Sequence, residues 1–357
     1  MCGCYRLGWV PTLECIARVV ERFADSRGWK KERDSWIRRI GRSMLQCSMY
    51  LVLVVINRRM SVMQVRPRRS VLYMPGANDR ALEKAKSLPA DALILDLEDS
   101  VAPEMKVTAR EKVCASVKGG GYGRREVVIR PNALETAWGT GDILAAAEAA
   151  PDAILLPKVA HPGDIISAAK ILKSVHAPEK TRLWAMMETP MAVLQARQIA
   201  ATGADPENRL DCLVMGTNDL LKESRARALH NRFAVVPWLA MTIVAARAYG
   251  LDIIDGVYND YKDDSGLREE CEHGRTLGMD GKTLIHPSQV GPCNDIFSPT
   301  DEEIDWSKKI IRAFDQPENA KKGVITVEGK MVERLHLVQA KRTVSIASAI
   351  KQIEEWF

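Results

Sequence analysis

From residue 71 onward the chain alternates between two hydrophobic rhythms. Short apolar runs rich in Val, Ile and Leu occupy residues 71–74, 92–97, 127–130, 153–157, 183–187, 212–215, 253–258 and 282–285. Between them, stretches such as 80–87, 103–117, 164–172, 191–201, 236–249 and 267–277 carry apolar residues at three- and four-residue steps. The first rhythm belongs to buried strands and the second to helices with one apolar face. Strand and helix alternating through eight runs predict an α/β chain, a (β/α)₈ TIM barrel over residues 64–298.

The flanks read differently. After residue 299 the pattern predicts a helix over 301–314, a turn at Lys322 and Gly323, a short strand over 324–327 and a final amphipathic helix from about Glu333, so that 299–357 forms a C-terminal extension. Residues 1–63 show neither rhythm. Their one apolar run, 49–56, has eight residues and is too short to span a bilayer. It follows about fifty mixed residues and precedes no small-residue cleavage site, unlike a secretory signal. Glu14, Glu21, Asp25, Glu32 and Asp34 count against an Arg-rich mitochondrial presequence. The expectation is that translation begins at Met60 or Met63; a disordered or partner-binding extension is the alternative.

Active sites of barrels gather where the strands end. Here those ends are polar: Tyr73 to Gly76, Glu98 and Asp99, Arg130 to Asn132, Pro157 and Lys158, Glu188 and Thr189, Gly216 to Asp219, Asp255, and His286 with Pro287. One charged residue after a strand is ordinarily a solvated turn, but several converging on one rim describe a cup for an anionic substrate bound through a metal. Glu188 and Asp219 end neighbouring fifth and sixth strands, so their carboxylates can approach one ion from adjacent directions. Two carboxylates without a His or Cys cluster suit Mg²⁺, which keeps waters and takes further ligands from its substrate. Read alone, Glu188 could equally cap the helix that follows and Asp219 begin the next one. Lys158 could pair with a neighbouring carboxylate, and His286 could serve only its turn.

Charge and cysteines narrow the partners. The net charge of +5 is misleading, because residues 1–66 hold 13 Lys and Arg against 5 Asp and Glu, leaving 38 against 41 for the rest. A slightly acidic body argues against a nucleic-acid surface, and nothing in it requires a membrane. The eight cysteines are scattered without zinc spacing and read as reduced thiols of a cytosolic, cytoplasmic protein.

Seven ordered motifs now carry a resemblance: RSVLYMPG at 69–76, LDLEDSV at 95–101, IRPN at 129–132, LPK at 156–158, ET at 188–189, GTNDL at 216–220 and GKTLIHP at 281–287. From about Arg68 to the C-terminus the chain resembles the citrate lyase beta-subunit-like and malyl-CoA lyase family. That resemblance implies a Mg²⁺-dependent carbon–carbon lyase that cleaves or forms a small β-hydroxyacyl-CoA thioester, such as malyl-CoA or citramalyl-CoA, from an acyl-CoA and a 2-oxo acid. It also implies a homotrimer or homohexamer. By motif, Glu188 and Asp219 would hold Mg²⁺, and Arg130 would bind the oxo-acid carboxylate or oxyanion. Tyr73, Arg80 and Lys84 would line the CoA passage, with Ile254 and Asp255 as further substrate contacts. Asp96, Glu98 and Asp99 would orient Arg130 or metal waters, with Asp99 counted among the catalytic residues.

The C-terminal extension resembles the family's lid, whose acidic residue, generally Asp, closes over a neighbouring subunit's barrel as acid or base. Here Glu333 stands at that position. Its extra methylene moves the carboxylate by about 1 Å, a displacement that can cost about 10²-fold in rate. Two alternatives therefore stay open: a thioesterase that delivers water to malyl-CoA in the same cup, or a citrate lyase beta subunit working on a carrier-bound substrate.

Overall fold

The alternating elements close on themselves. In this computed structural model, which describes residues 65–227 and 232–356, the chain runs β1 (Ser70–Pro75), α1 (Asp79–Ala85), β2 (Ala92–Asp96), α2 (Lys106–Gly119), β3 (Glu126–Arg130) and α3 (Gly139–Ala149). It continues through β4 (Ala153–Leu156), α4 (Pro162–Ser174), β5 (Arg182–Met187), α5 (Pro190–Leu194), α6 (Ala196–Ala201), β6 (Leu210–Met215) and α7 (Thr217–Glu223). The circuit ends with α8 (Val236–Ala248), β7 (Asp252–Asp255), α9 (Asp264–Leu277), β8 (Gly281–Leu284) and α10 (Val290–Phe297). β1 to β8 pair in parallel in chain order, and β8 pairs back onto β1 through Ser70 with Lys282 and Val71 with Thr283, so the barrel is closed. The expected (β/α)₈ fold is the observed one. Residues 1–63, with the extension read there and Cys2, Cys4, Cys15 and Cys47, lie outside the described residues.

The strands bury both faces, as parallel strands covered by helices must. One set of alternate residues, including Val71, Ile94, Val128, Leu155, Trp184 and Ile254, forms an apolar cluster filling the barrel. The other set, including Leu72, Leu95, Ile129 and Ile154, packs outward against Val113, Ile143 and Ile165 on the surrounding helices. α3 and α7 are not announced by apolar periodicity. In α3 the buried face is mostly alanine, and α7 is only seven residues long.

The amino end of the barrel is plugged by a charge cluster invisible to local patterning. Arg68 lies over Trp184, its guanidinium carbon 4.7 Å from the ring centre. Its guanidinium pairs with Glu126 at 2.8 Å, Asp211 at 2.5 Å and Asp252 at 2.9 Å, residues at or near the starts of β3, β6 and β7. A planar five-donor cation suits several carboxylates at once, which explains arginine here.

After the barrel come α11 (Asp301–Phe314), the antiparallel hairpin of β9 (Val324–Val327) and β10 (Lys330–Glu333), and α12 (Arg334–Glu354). Thr300 and Glu303 form a capping box that starts α11. Ile310, Phe314, Ile325, Val327, Val332 and Ala340 close a small separate core. This unit packs against the amino ends of the strands. Arg342 on α12 bridges Asp252 and Asp280 at 2.8 and 3.1 Å, and Glu354 reaches Arg69 at 3.2 Å. Cys114, Cys212, Cys271 and Cys293 are free and buried. Among the described residues no helix is long and apolar enough to cross a membrane.

Candidate active site

Two-residue alternation carries the inward set of each strand one step past its apolar part, and that step builds the cup. Beyond Val71, Ile94, Val128, Met186 and Val214 in the interior cluster come Tyr73, Asp96, Arg130, Glu188 and Gly216. The polar layer thus sits on an apolar floor at the carboxyl ends.

Asp96 and Arg130 are register partners on β2 and β3. Their side chains meet in a two-pronged pair, Nε to Oδ1 at 2.7 Å and Nη2 to Oδ2 at 2.9 Å. Asp96 is itself held by the backbone N–H groups of Glu98 and Ser100. Burial opposes charge on Asp96, but Arg130 prevails and keeps its carboxyl below the ordinary value. The remaining edge of Arg130 turns Nη1 toward Glu98 at 2.9 Å and Asp99 at 3.5 Å, while its face rests 4.8 Å from the Tyr73 ring centre. Glu98 Oε2 accepts no hydrogen bond despite that ion pair. Burial pushes Glu98 up to about 8 against the pull of Arg130, with repulsion from Glu188, Asp99 and Asp96 adding to the rise.

Glu188 and Asp219 meet at one point. Lys158, just past β4, donates its backbone N–H to Glu188 Oε1 at 2.6 Å. Its ammonium hydrogen-bonds Asp219 Oδ2 and lies 3.7 Å from Glu188 Oε1, so the two carboxylates flank a single cation position. Burial raises the pKa of Glu188, and Lys158 opposes that rise. Glu188 leaves the cap of α5 to Thr189, whose hydroxyl accepts from the Ala192 N–H at 3.0 Å, and its carboxylate is free for the cup. Asp219 lies in the first turn of α7, whose cap residue Gly216 has no side chain to offer. Gly216 has a second role: a Cβ there would lie 2.8 Å from Glu188 Oε2 and closer still to its Cβ.

The other expected residues divide. Asp99 is exposed at the rim beside Arg130. Arg80 and Lys84 are exposed, one turn apart on α1 just beyond β1. Ile254 lies within the apolar floor, fully buried. Asp255 is turned away from the cup: fully buried, it pairs with Arg232 at 2.6 Å and with Lys282 at 3.1 Å, and Lys282 also reaches Glu270 on α9 at 2.5 Å. Being one residue from the inward-facing Ile254, it necessarily faces the helices. Glu333 is the cap residue of α12, its N–H donated to His336 Nδ1 at 2.9 Å, on the unit that packs against the amino ends. Within one chain it does not join the cup. His286 stacks on Tyr261 with ring centres 4.5 Å apart and bonds Ser288, a turn built for itself.

Local patterning underrated Lys158 and could not anticipate Arg232 or Lys282. A buried lysine in β8 is ordinarily unfavourable, and its acidic partners, Asp255 on β7 and Glu270 on α9, make it tolerable.

A barrel whose carboxyl-end cup joins two carboxylates on one cation position, beside an arginine locked by a third, has the layout of a binding site for small anions. Residues 69–287 match the family model described as HpcH/HpaI aldolase/citrate lyase, and the chain belongs to that family. It is 47% identical over 287 residues to a (3S)-malyl-CoA thioesterase of Cereibacter sphaeroides, covering 80% of this chain and 97% of that protein. It is 32% identical to the citrate lyase subunit beta of Escherichia coli, over 82% of this chain and 97% of that one. To the mitochondrial citramalyl-CoA lyase of Homo sapiens it is 31% identical, over 80% and 87%. A crystal structure of CitE from Mycobacterium tuberculosis with magnesium, acetoacetate and coenzyme A superposes with a TM-score of 0.62 at 26% identity, over 80% of this chain and all of that one.

Proposed function

We propose that this protein is a Mg²⁺-dependent enzyme acting on a small β-hydroxyacyl-CoA of the malyl-CoA type, and that it hydrolyses the thioester. The observation that carries the metal reading is the convergence of Glu188 and Asp219 on one cation position. No group of three or more His, Cys, Asp or Glu fit for a metal occurs among the described residues, so the reading rests on this pair. Such a pair suits Mg²⁺, which when bound supplies Lewis-acid polarisation of a substrate oxygen.

The chain's own groups do the rest. Arg130, fixed by Asp96, holds a positive charge in the cup for an incoming carboxylate or developing oxyanion, which would share its Nη1 edge with Glu98. The Glu98 carboxyl beside it, its pKa raised by burial, is placed to give or take a proton. Arg80 and Lys84 offer cations to the CoA phosphates at the rim. Glu333 would serve the cup of a neighbouring copy, in keeping with a homotrimer or homohexamer.

Hydrolysis is favoured by the 47% identity over nearly the whole length of a thioesterase. Carbon–carbon cleavage into an acyl-CoA and a 2-oxo acid is the second reading, supported by the two lyase relatives at 32% and 31%. One assay separates them. Purified protein given malyl-CoA and Mg²⁺ is expected to release malate and free CoA thiol. Release of glyoxylate and acetyl-CoA would instead establish the lyase, and no turnover with either readout would defeat the enzyme reading.

The role of Gly216 gives a sharper check. Gly216→Ala should displace the Glu188 carboxylate and lower kcat by about 10²-fold. Unchanged kinetics would show that the Glu188 position is not critical.

A further inference from the structure

Lys158 has a conformation that calls for explanation. Its φ of +53° lies in the left-handed region that a residue with a Cβ seldom adopts. Such backbone persists where the surroundings hold it, and it clusters at functional sites. Its effect here is to bring both the N–H and the ammonium of one residue to the same pair of carboxylates. Glu188 is 3% exposed and Asp219 27%, so without a cation between them two negative charges would face each other with little water.

We propose that Lys158 is a built-in counter-ion for the metal site: it neutralises Glu188 and Asp219 in the metal-free enzyme and is displaced when the divalent ion binds. The proposal rests on the reading of those two residues as metal ligands. A lysine fits the part and an arginine would not. Lysine carries a compact charge on a flexible four-carbon stem, and this side chain is 32% exposed, free to swing toward solvent. Arg130 nearby is 8% exposed and pinned by Asp96, the design of a cation meant to stay. Metal binding is then an exchange of one cation for another, and the displaced ammonium remains on the rim as a donor to an anionic substrate.

The tests read binding as well as activity. In Lys158→Met without substrate, Mn²⁺ should bind about tenfold or more tightly than in the wild type, measured by electron paramagnetic resonance of the free ion, because no ammonium has to be expelled. Lys158→Arg, which retains the charge, should bind no more tightly than wild type. An affinity unchanged or weakened in Lys158→Met overturns the proposal. A measurement on the unaltered protein stands beside it: acetic anhydride labelling read by mass spectrometry should modify Lys158 at least about threefold faster in saturating Mg²⁺ than in EDTA, and equal rates overturn it too. Failure of wild type and both variants to bind Mn²⁺ at all would remove the metal assignment beneath it, a separate result from tight binding that ignores Lys158.

Discussion

Replacing Glu188 by alanine is expected to lower Mg²⁺-dependent turnover of malyl-CoA by about 10³-fold or more, the largest functional effect of any single substitution in the cup. The variant leaves Asp219 as a lone carboxylate, and one half-buried carboxylate holds a Mg²⁺ ion poorly against water. It also removes the acceptor of the Lys158 N–H and frees the Lys158 ammonium to pair with Asp219 alone. The fold should survive, because Glu188 lies beyond the apolar interior cluster and the α5 cap belongs to Thr189. Circular dichroism should therefore be unaltered while kcat collapses and Mn²⁺ binding is lost. Retention of full activity by a folded Glu188→Ala protein would remove the proposed chemistry.

The largest stability effect belongs to the opposite end of the barrel. Arg68→Met is expected to destabilise the fold by about 3–5 kcal/mol, because it strips the buried carboxylates Glu126 and Asp211 of their shared cation and leaves the half-buried Asp252 to Arg342 alone. For a domain of this size that is a fall in Tm of about 10 °C, visible by calorimetry or in a denaturant midpoint. The pH dependence gives the loss its own signature. Burial alone would raise Asp211, but Arg68 outweighs it and holds Asp211 below its ordinary value. A depressed carboxylate contributes stability above its unfolded-state pKa, and that contribution disappears as pH falls through the folded value. The gap between wild type and Arg68→Met should accordingly be full near pH 7 and narrow as pH drops below about 4. A gap independent of pH would mean that lost packing on Trp184, rather than lost charge pairing, dominates.

Much of the cup was legible as strand ends. Apolar runs followed at once by Tyr73, Arg130 or Glu188 announce the carboxyl rim of a barrel, because that is the face on which barrel site residues gather. The expectation that the Asp255 side chain faces the cup has the same source. A polar residue at the end of a run is equally compatible with facing the cup or the helices, and its buried partners Arg232 and Lys282 come from elsewhere in the chain. Glu333 was placed by motif, but its position depends on how the C-terminal unit docks through Arg342 and Glu354.

By itself the sequence determined the number and order of the barrel strands, the two helices and first strand of the C-terminal unit and the family. Each follows from local periodicity or from short motifs that need no knowledge of distant contacts. Only the tertiary structure decided which parity of each strand faces inward, that Lys158 rather than open space lies between Glu188 and Asp219, and that Arg68 plugs the far end. Parity is relative until the barrel closes, and ion pairs such as Arg68 with Asp252, 184 residues apart, form only once closure brings the strands around one axis.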